Sequence, residues 1–113
     1  MNLLIAVVED EEHLEDFLSA LVELDVTGLQ VLNSASVVEV LAREAPIFAG
    51  LRQLITRPTA ESKTLVGIAP RDVLPDLSRL LKKIGLEIDQ PGTGYAVQVP
   101  LGGAIGHLDF DGE

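Results

Sequence analysis

Short apolar runs alternate along this chain with longer stretches in which apolar residues recur every third or fourth position, and the sequence goes through this alternation twice. Residues 3–8, Leu-Leu-Ile-Ala-Val-Val, are apolar without interruption, the pattern of a strand that leaves neither face to water. After them Asp10 stands where a helix N-cap belongs, with Glu11 and Glu12 in the first turn, where free amides favour negative charge. Leu14, Phe17, Leu18, Leu21 and Leu24 then mark one face of a helix. Gly28 ends the turn that follows, and residues 29–32 form a second short strand.

The second pass begins about sixty residues on. Residues 64–69 read as a strand, and residues 70–75 open a helix with Asp72 as N-cap, an arrangement that tolerates Pro75 because early helical positions have no intrahelical partner for an N–H. Val73, Leu74, Leu77, Leu80, Leu81 and Ile84 make its apolar stripe, Lys82 and Lys83 suit its last turn, and Gly85 suits a left-handed C-cap. Leu14, Phe17, Leu21 and Leu24 align with Leu74, Leu77, Leu81 and Ile84 at a constant offset. Residues 96–99 supply a closing strand. Two βαβ halves of this size predict an α+β fold, a ferredoxin-like βαβ-βαβ sandwich whose helices share one face of a four-stranded antiparallel sheet.

Between the halves lies an excursion, residues 34–63, inserted between the second and third strands. Ser36-Val-Val-Glu39 is a capping box, with Val37, Val40 and Leu41 as a short stripe behind it. Pro46 breaks that helix and is well placed to begin another, in which Ile47, Leu51, Leu54 and Ile55 share a face until Arg57-Pro58 stops it. The excursion reads either as a docking or ligand-covering element or as helical padding.

At 113 residues the chain is a single domain, 1–113, with a limited core. Hydrophobic residues make up 47% and aromatics 4%, so the interior is aliphatic, and the large apolar content implies surface hidden in a subunit interface. Because both faces of the first and third strands are apolar while the helices cover one, the other face needs either a partner copy or the excursion folded back upon it. The formal charge of -10 argues against nucleic acid and anionic membrane surfaces as partners. There is no cysteine, and residues 3–8 are too short to insert into a membrane and are followed by acids rather than a cleavage pattern, so the chain reads as cytoplasmic.

Candidate chemistry is sparse. Glu9-Asp10-Glu11 after the first strand resembles the opening of a response-regulator receiver domain, yet no aspartate occurs between Val26 and Arg71 and no lysine follows Lys83, so the acids are read as a solvated helix start. His107, Asp109, Asp111 and Glu113 alternate along the acidic tail, 107–113, and would share one side of an extended segment. The tail reads as mobile and hydrated, with a divalent-cation site or a small enzyme built on it as the alternative. His13 reads as a surface residue. Neither histidine has an identifiable nucleophile beside it, so the expectation is no catalytic residue, no metal and no enzyme.

Gly92-Thr93-Gly94-Tyr95, just before the closing strand, is by itself a tight turn. In its place, after a βαβ half, a long excursion and a second helix, the whole layout resembles the trimeric nitrogen-regulatory PII signalling proteins and their PII-like relatives. The resemblance implies a homotrimer in which residues 34–63 stand at the position of the T-loop and address a protein target. It also implies a B-loop-like turn at Gly92 and Gly94 that meets a small molecule, an adenine nucleotide for instance, between subunits. Tyr95 stands where the family pattern has a lysine, and residues 100–106 lack the family's arginines. Lys63 and Arg57 are then the nearest candidate cations, and the expectation is that ATP binds weakly or not at all while less charged nucleotides do better.

Overall fold

The computed structural model describes residues 1–44, 47 and 62–108. The elements follow in the order β1 (Asn2–Val8), a 3₁₀ turn (Glu11–His13), α1 (Leu14–Glu23), β2 (Thr27–Ser34), α2 (Val37–Glu44), β3 (Ser62–Ala69), α3 (Leu74–Lys83) and β4 (Gly94–Pro100). The fold is α+β, with a four-stranded antiparallel sheet in the order β2-β3-β1-β4 and, among the described residues, three α-helices. That arrangement is compatible with the ferredoxin-like class. Each strand runs longer than its apolar run, because ladder pairing continues into polar residues such as Asn2 and Ser62.

Helices α1 and α3 lie over one face of the sheet. Their Phe17, Leu21, Leu77 and Leu81 pack with Leu4, Ala6, Val8 and Leu65 into one aliphatic core around a single ring. Leu14, Leu18, Leu74 and Leu80 border it, half-buried. Ile84, expected in the α3 stripe, is instead 56% exposed. It stands at the C-cap of α3, the place that Leu24 holds in α1, and there the two halves differ, for Leu24 is buried.

Strand β1 alternates after all: Leu4, Ala6 and Val8 are buried under the helices, whereas Leu3, Ile5 and Val7 are half-buried on the far side. The register carries that second face across the sheet through Val66 and Ile68 of β3, Tyr95, Val97 and Val99 of β4, and Leu32 of β2. Every ladder position on it is uncharged. On it Leu32, Tyr95, Val97 and Val99 remain 45–55% exposed.

Both helices end in the same hydrogen-bonded closure. In α1 the Val26 N–H donates to the Leu21 carbonyl at 3.0 Å and the Asp25 N–H to that of Val22 at 3.1 Å. In α3 the Leu86 N–H donates to Leu81 at 2.9 Å and the Gly85 N–H to Lys82 at 3.0 Å. These are Schellman motifs, and the residue that must turn left-handed is Asp25 in the first and Gly85 in the second. The expected role of Gly28 in ending that turn is therefore corrected: α1 is already closed at Asp25, and Gly28, with φ +64°, serves the irregularity between Thr27 and Gln30 in β2.

The start signals also need adjustment. Asp10 Oδ1 accepts from the Glu12 N–H at 3.0 Å, but what it caps is the 3₁₀ turn ahead of α1. Asp72 Oδ1 accepts from the Leu74 N–H at 3.1 Å, and the cap position itself belongs to Val73, whose N–H donates to the side-chain Oε1 of Gln98 at 2.8 Å. Pro75 falls in the first two helical positions, where its missing N–H costs nothing. In α2, Ser36 Oγ accepts from the Glu39 N–H at 3.1 Å, as the capping box requires. The side chains of that helix turn differently from expectation: Ala42 is buried while Val37 and Val40 are exposed. The second helix read from Pro46 to Arg57 lies outside the described residues, apart from Ile47, which is 85% exposed.

Candidate functional site

One row of the sheet draws together most of what the sequence singled out. Asn33 of β2 pairs with Lys63 of β3, Lys63 with Val8 of β1, and Val8 with Gly94 of β4. The neck of the excursion and the Gly92–Gly94 turn therefore sit at the same end of the sheet, joined through the end of β1.

At the neck, hydroxyl groups lock β2 to β3. Ser34 Oγ and Ser62 Oγ are 2.8 Å apart, Ser62 Oγ donates to the Ser34 carbonyl at 3.0 Å, and Thr64 Oγ1 donates to Ser34 Oγ at 2.9 Å. Ser62 is buried, and these bonds satisfy a side chain that burial would otherwise penalise. Lys63 lies beside them. Its Nζ donates to Asn33 Oδ1 at 2.6 Å and stands 3.9 Å from Glu11 Oε1, so it ties the neck to the 3₁₀ turn and leans toward β2, away from Gly94.

The turn is held from the other side. The Thr93 carbonyl accepts from the Glu9 N–H at 3.1 Å, the Thr93 N–H reaches the Gln90 carbonyl at 3.3 Å, and Thr93 is buried. Gly92 has φ +88° and open space where a Cβ would stand. Gly94 has φ +135°, and a Cβ there would lie 2.0 Å from the Val7 carbonyl oxygen. Glycine at 94 is thus demanded by the close approach of β4 to β1. Tyr95 pairs with Val7 and belongs to the uncharged face, 55% exposed.

So the structure gathers Gly92, Gly94 and Lys63 at one end, turns Tyr95 to the opposite face of the sheet, and leaves Arg57 outside the described residues. Asp109, Asp111 and Glu113 also lie outside them, and His107 is exposed. Among the described residues no group of three or more His, Asp or Glu side chains is placed to hold a metal ion, and no helix is long and apolar enough to cross a membrane. His13 is partly buried, its Nε2 3.8 Å from Asp10 Oδ2 on the preceding turn.

A feature that sequence reasoning missed is an open cleft of about 300 Å³ where α1 and α3 meet, lined by Glu23, Leu24, Asp76, Arg79, Leu80 and Lys83. Asp76 pairs with Arg79 and, at 3.6 Å, with Arg71, whose other guanidinium nitrogen donates to the Leu24 carbonyl at 3.4 Å. Through these contacts Arg71 ties the end of α1 to the first turn of α3. Gln98 was also missed as a helix cap, since it lies 25 residues from the amide it caps and on another element. The only available signal was a lone polar residue in an otherwise apolar strand.

No protein-family model matches the chain, and no curated protein matches it.

Proposed function

We propose that the chain is a cytoplasmic, non-enzymatic regulatory protein of the PII-like kind, a homotrimer that binds a small molecule between subunits and reports it to a protein target through residues 34–63. The sheet order is read as the double βαβ of the ferredoxin-like fold, with the excursion between its second and third strands. The observation that carries the proposal is the row Asn33, Lys63, Val8 and Gly94, which sets the neck of the excursion and the glycine turn at one end of the sheet. A ligand at the turn would press on Glu9 and the 3₁₀ turn, and Lys63 joins that turn to the neck. The uncharged face supports assembly, because a chain of charge -10 can meet its own copy there without bringing like charges together.

The test is a thermal-shift panel of ATP, ADP, AMP, cyclic nucleotides and divalent cations. A ligand that binds only the folded state raises the melting temperature by mass action. With Tyr95 in place of a cation and Lys63 engaged by Asn33 and Glu11, the mono- and cyclic nucleotides are expected to shift the transition more than ATP. No shift with any nucleotide would sink the sensor reading.

A further inference from the structure

We infer that the cleft between α1 and α3 binds a free aliphatic α-amino acid as its zwitterion. The inference goes beyond the sensor reading, since it places a second and differently built ligand site on the helical layer and stands whether or not any nucleotide binds. Arg71, which reaches Leu24 beside the cleft, follows Ala69, and Ala69 pairs with Asn2 at the start of β1, whereas Gly94 pairs with Val8 at its end. The Leu24 side of the cleft therefore lies at the end of the sheet away from the Gly92–Gly94 turn.

The walls present both signs of charge above an apolar floor. Asp76, Arg79, Leu80 and Lys83 follow one another at the spacing of a single helix side, and Glu23 and Leu24 come from the end of α1. Leu24 is buried and Leu80 half-buried, so a short aliphatic side chain would meet leucine there. Residues 71–83 hold four of the chain's eight basic residues, Arg71, Arg79, Lys82 and Lys83, against two acids. In a protein of charge -10 this is a place where a carboxylate can approach without net repulsion.

The charges around the cleft select the ligand. Asp76 has two guanidinium partners, Arg71 and Arg79, and needs only one. Arg79, well exposed, can turn to a ligand carboxylate while Arg71 keeps Asp76 paired. Glu23 and Lys83 have no ion pair among the described residues. Glu23 is also the last residue of α1, where the helix dipole disfavours an anion and no basic residue in the last turn offsets it. A ligand ammonium there answers both the carboxylate and the carbonyl end of the helix. A plain anion would meet Glu23 and a plain cation would meet Arg79 and Lys83, so the match is to a small molecule that carries both charges on an aliphatic stem. The volume of about 300 Å³ is at the small end for ligand pockets, which suits an amino acid.

The test is titration of the full chain with L-leucine, L-isoleucine, L-valine and L-methionine, followed by calorimetry and by amide chemical shifts. Saturable binding at millimolar concentration is expected, with shifts at residues 23–24 and 79–83 and none at 92–95. Isocaproate and isoamylamine each keep leucine's side chain and one of its two charges. Both should bind about tenfold more weakly than leucine, the loss of one charge-assisted contact. Glu23→Gln and Lys83→Gln should weaken leucine binding by the same factor, whereas Lys82→Gln, outside the cleft wall, should leave it unchanged. Because Glu23→Gln removes an anion from a helix C-terminus, its melting temperature without ligand should be no lower than the parent's, so that its loss of binding is not a loss of fold. Absence of saturation with all four amino acids, single-charge analogues that bind as tightly as leucine, unchanged leucine binding in Glu23→Gln, or shifts centred on residues 92–95 would each overturn the inference.

Discussion

Asp25 and Gly85, sixty residues apart, occupy the same place in the two halves: each is the left-handed residue after its helix, with φ +64° and +87°. Each is followed by a buried apolar residue, Val26 or Leu86, whose amide bonds back to the last turn. Only glycine takes this conformation without steric cost, so the first half bears a strain that the second avoids. Asp25→Gly is therefore expected to stabilise the protein by about 0.5 kcal/mol, the steric relief slightly exceeding the added freedom of the unfolded chain, and Gly85→Asp to cost about 1 kcal/mol. Urea midpoints measure both. A lower midpoint for Asp25→Gly would mean that the carboxylate makes a favourable interaction worth more than the strain.

How far the repeat could be read from the sequence depends on what carries it. The stripe positions Leu21 and Leu81 were legible because a helix buries residues at a fixed period, and both are fully buried. The first closure was not, since Asp25 carries no turn signal of glycine's strength and Gly28, three residues on, offers a stronger one. Periodicity does not separate Ile84 from Leu24: both stand at a helix C-cap on the same stripe, yet Leu24 is buried and Ile84 is exposed. The candidate site was legible as composition but not as geometry. Gly94 stood out as part of a G-x-G turn, while its actual constraint, the Val7 carbonyl, comes from a strand almost ninety residues away.

The corrected α3 stripe gives a graded test. Leu21→Ala and Leu81→Ala should each cost on the order of 2–5 kcal/mol, as large-to-small changes at fully buried sites. Ile84→Ala should cost less than about 1 kcal/mol, because more than half of the side chain already meets water. Equal losses at positions 81 and 84 in denaturant titrations would return Ile84 to the core.

Gln98 joins β4 to the start of α3 through both ends of its amide: Oε1 accepts from the Val73 N–H at 2.8 Å and Nε2 donates to the Arg71 carbonyl at 3.2 Å. Gln98→Ala removes an acceptor from a helix N-terminus and is expected to cost about 1–2 kcal/mol, the range of a lost N-cap. Gln98→Glu keeps the acceptor and loses the donor, so its stability should fall between the two. If Gln98→Ala melted with the parent protein, water would be replacing the cap at no cost.

The two glycines of the turn should respond very differently to a methyl group, and the difference decides how the ligand reading can be probed. At Gly94 a Cβ would lie 2.0 Å from the Val7 oxygen and 3.1 Å from the Val7 carbonyl carbon, both main-chain atoms in the central strand, so neither can swing aside. Gly94→Ala must part β4 from β1 at its first pair, and Gly94→Val would do the same with a larger side chain. The expected loss is several kcal/mol, beyond the 1–2 kcal/mol of an unfavourable φ alone. At Gly92 nothing lies within 4 Å of the added carbon, so Gly92→Ala should cost only about 1 kcal/mol, through its φ of +88°. A loss of nucleotide binding in Gly94 variants would therefore report a broken strand pair. In a Gly92→Ala protein that is still folded by circular dichroism, the same loss would report the turn itself. Nucleotide shifts in Gly92→Ala equal to those of the parent protein would place any ligand away from this turn.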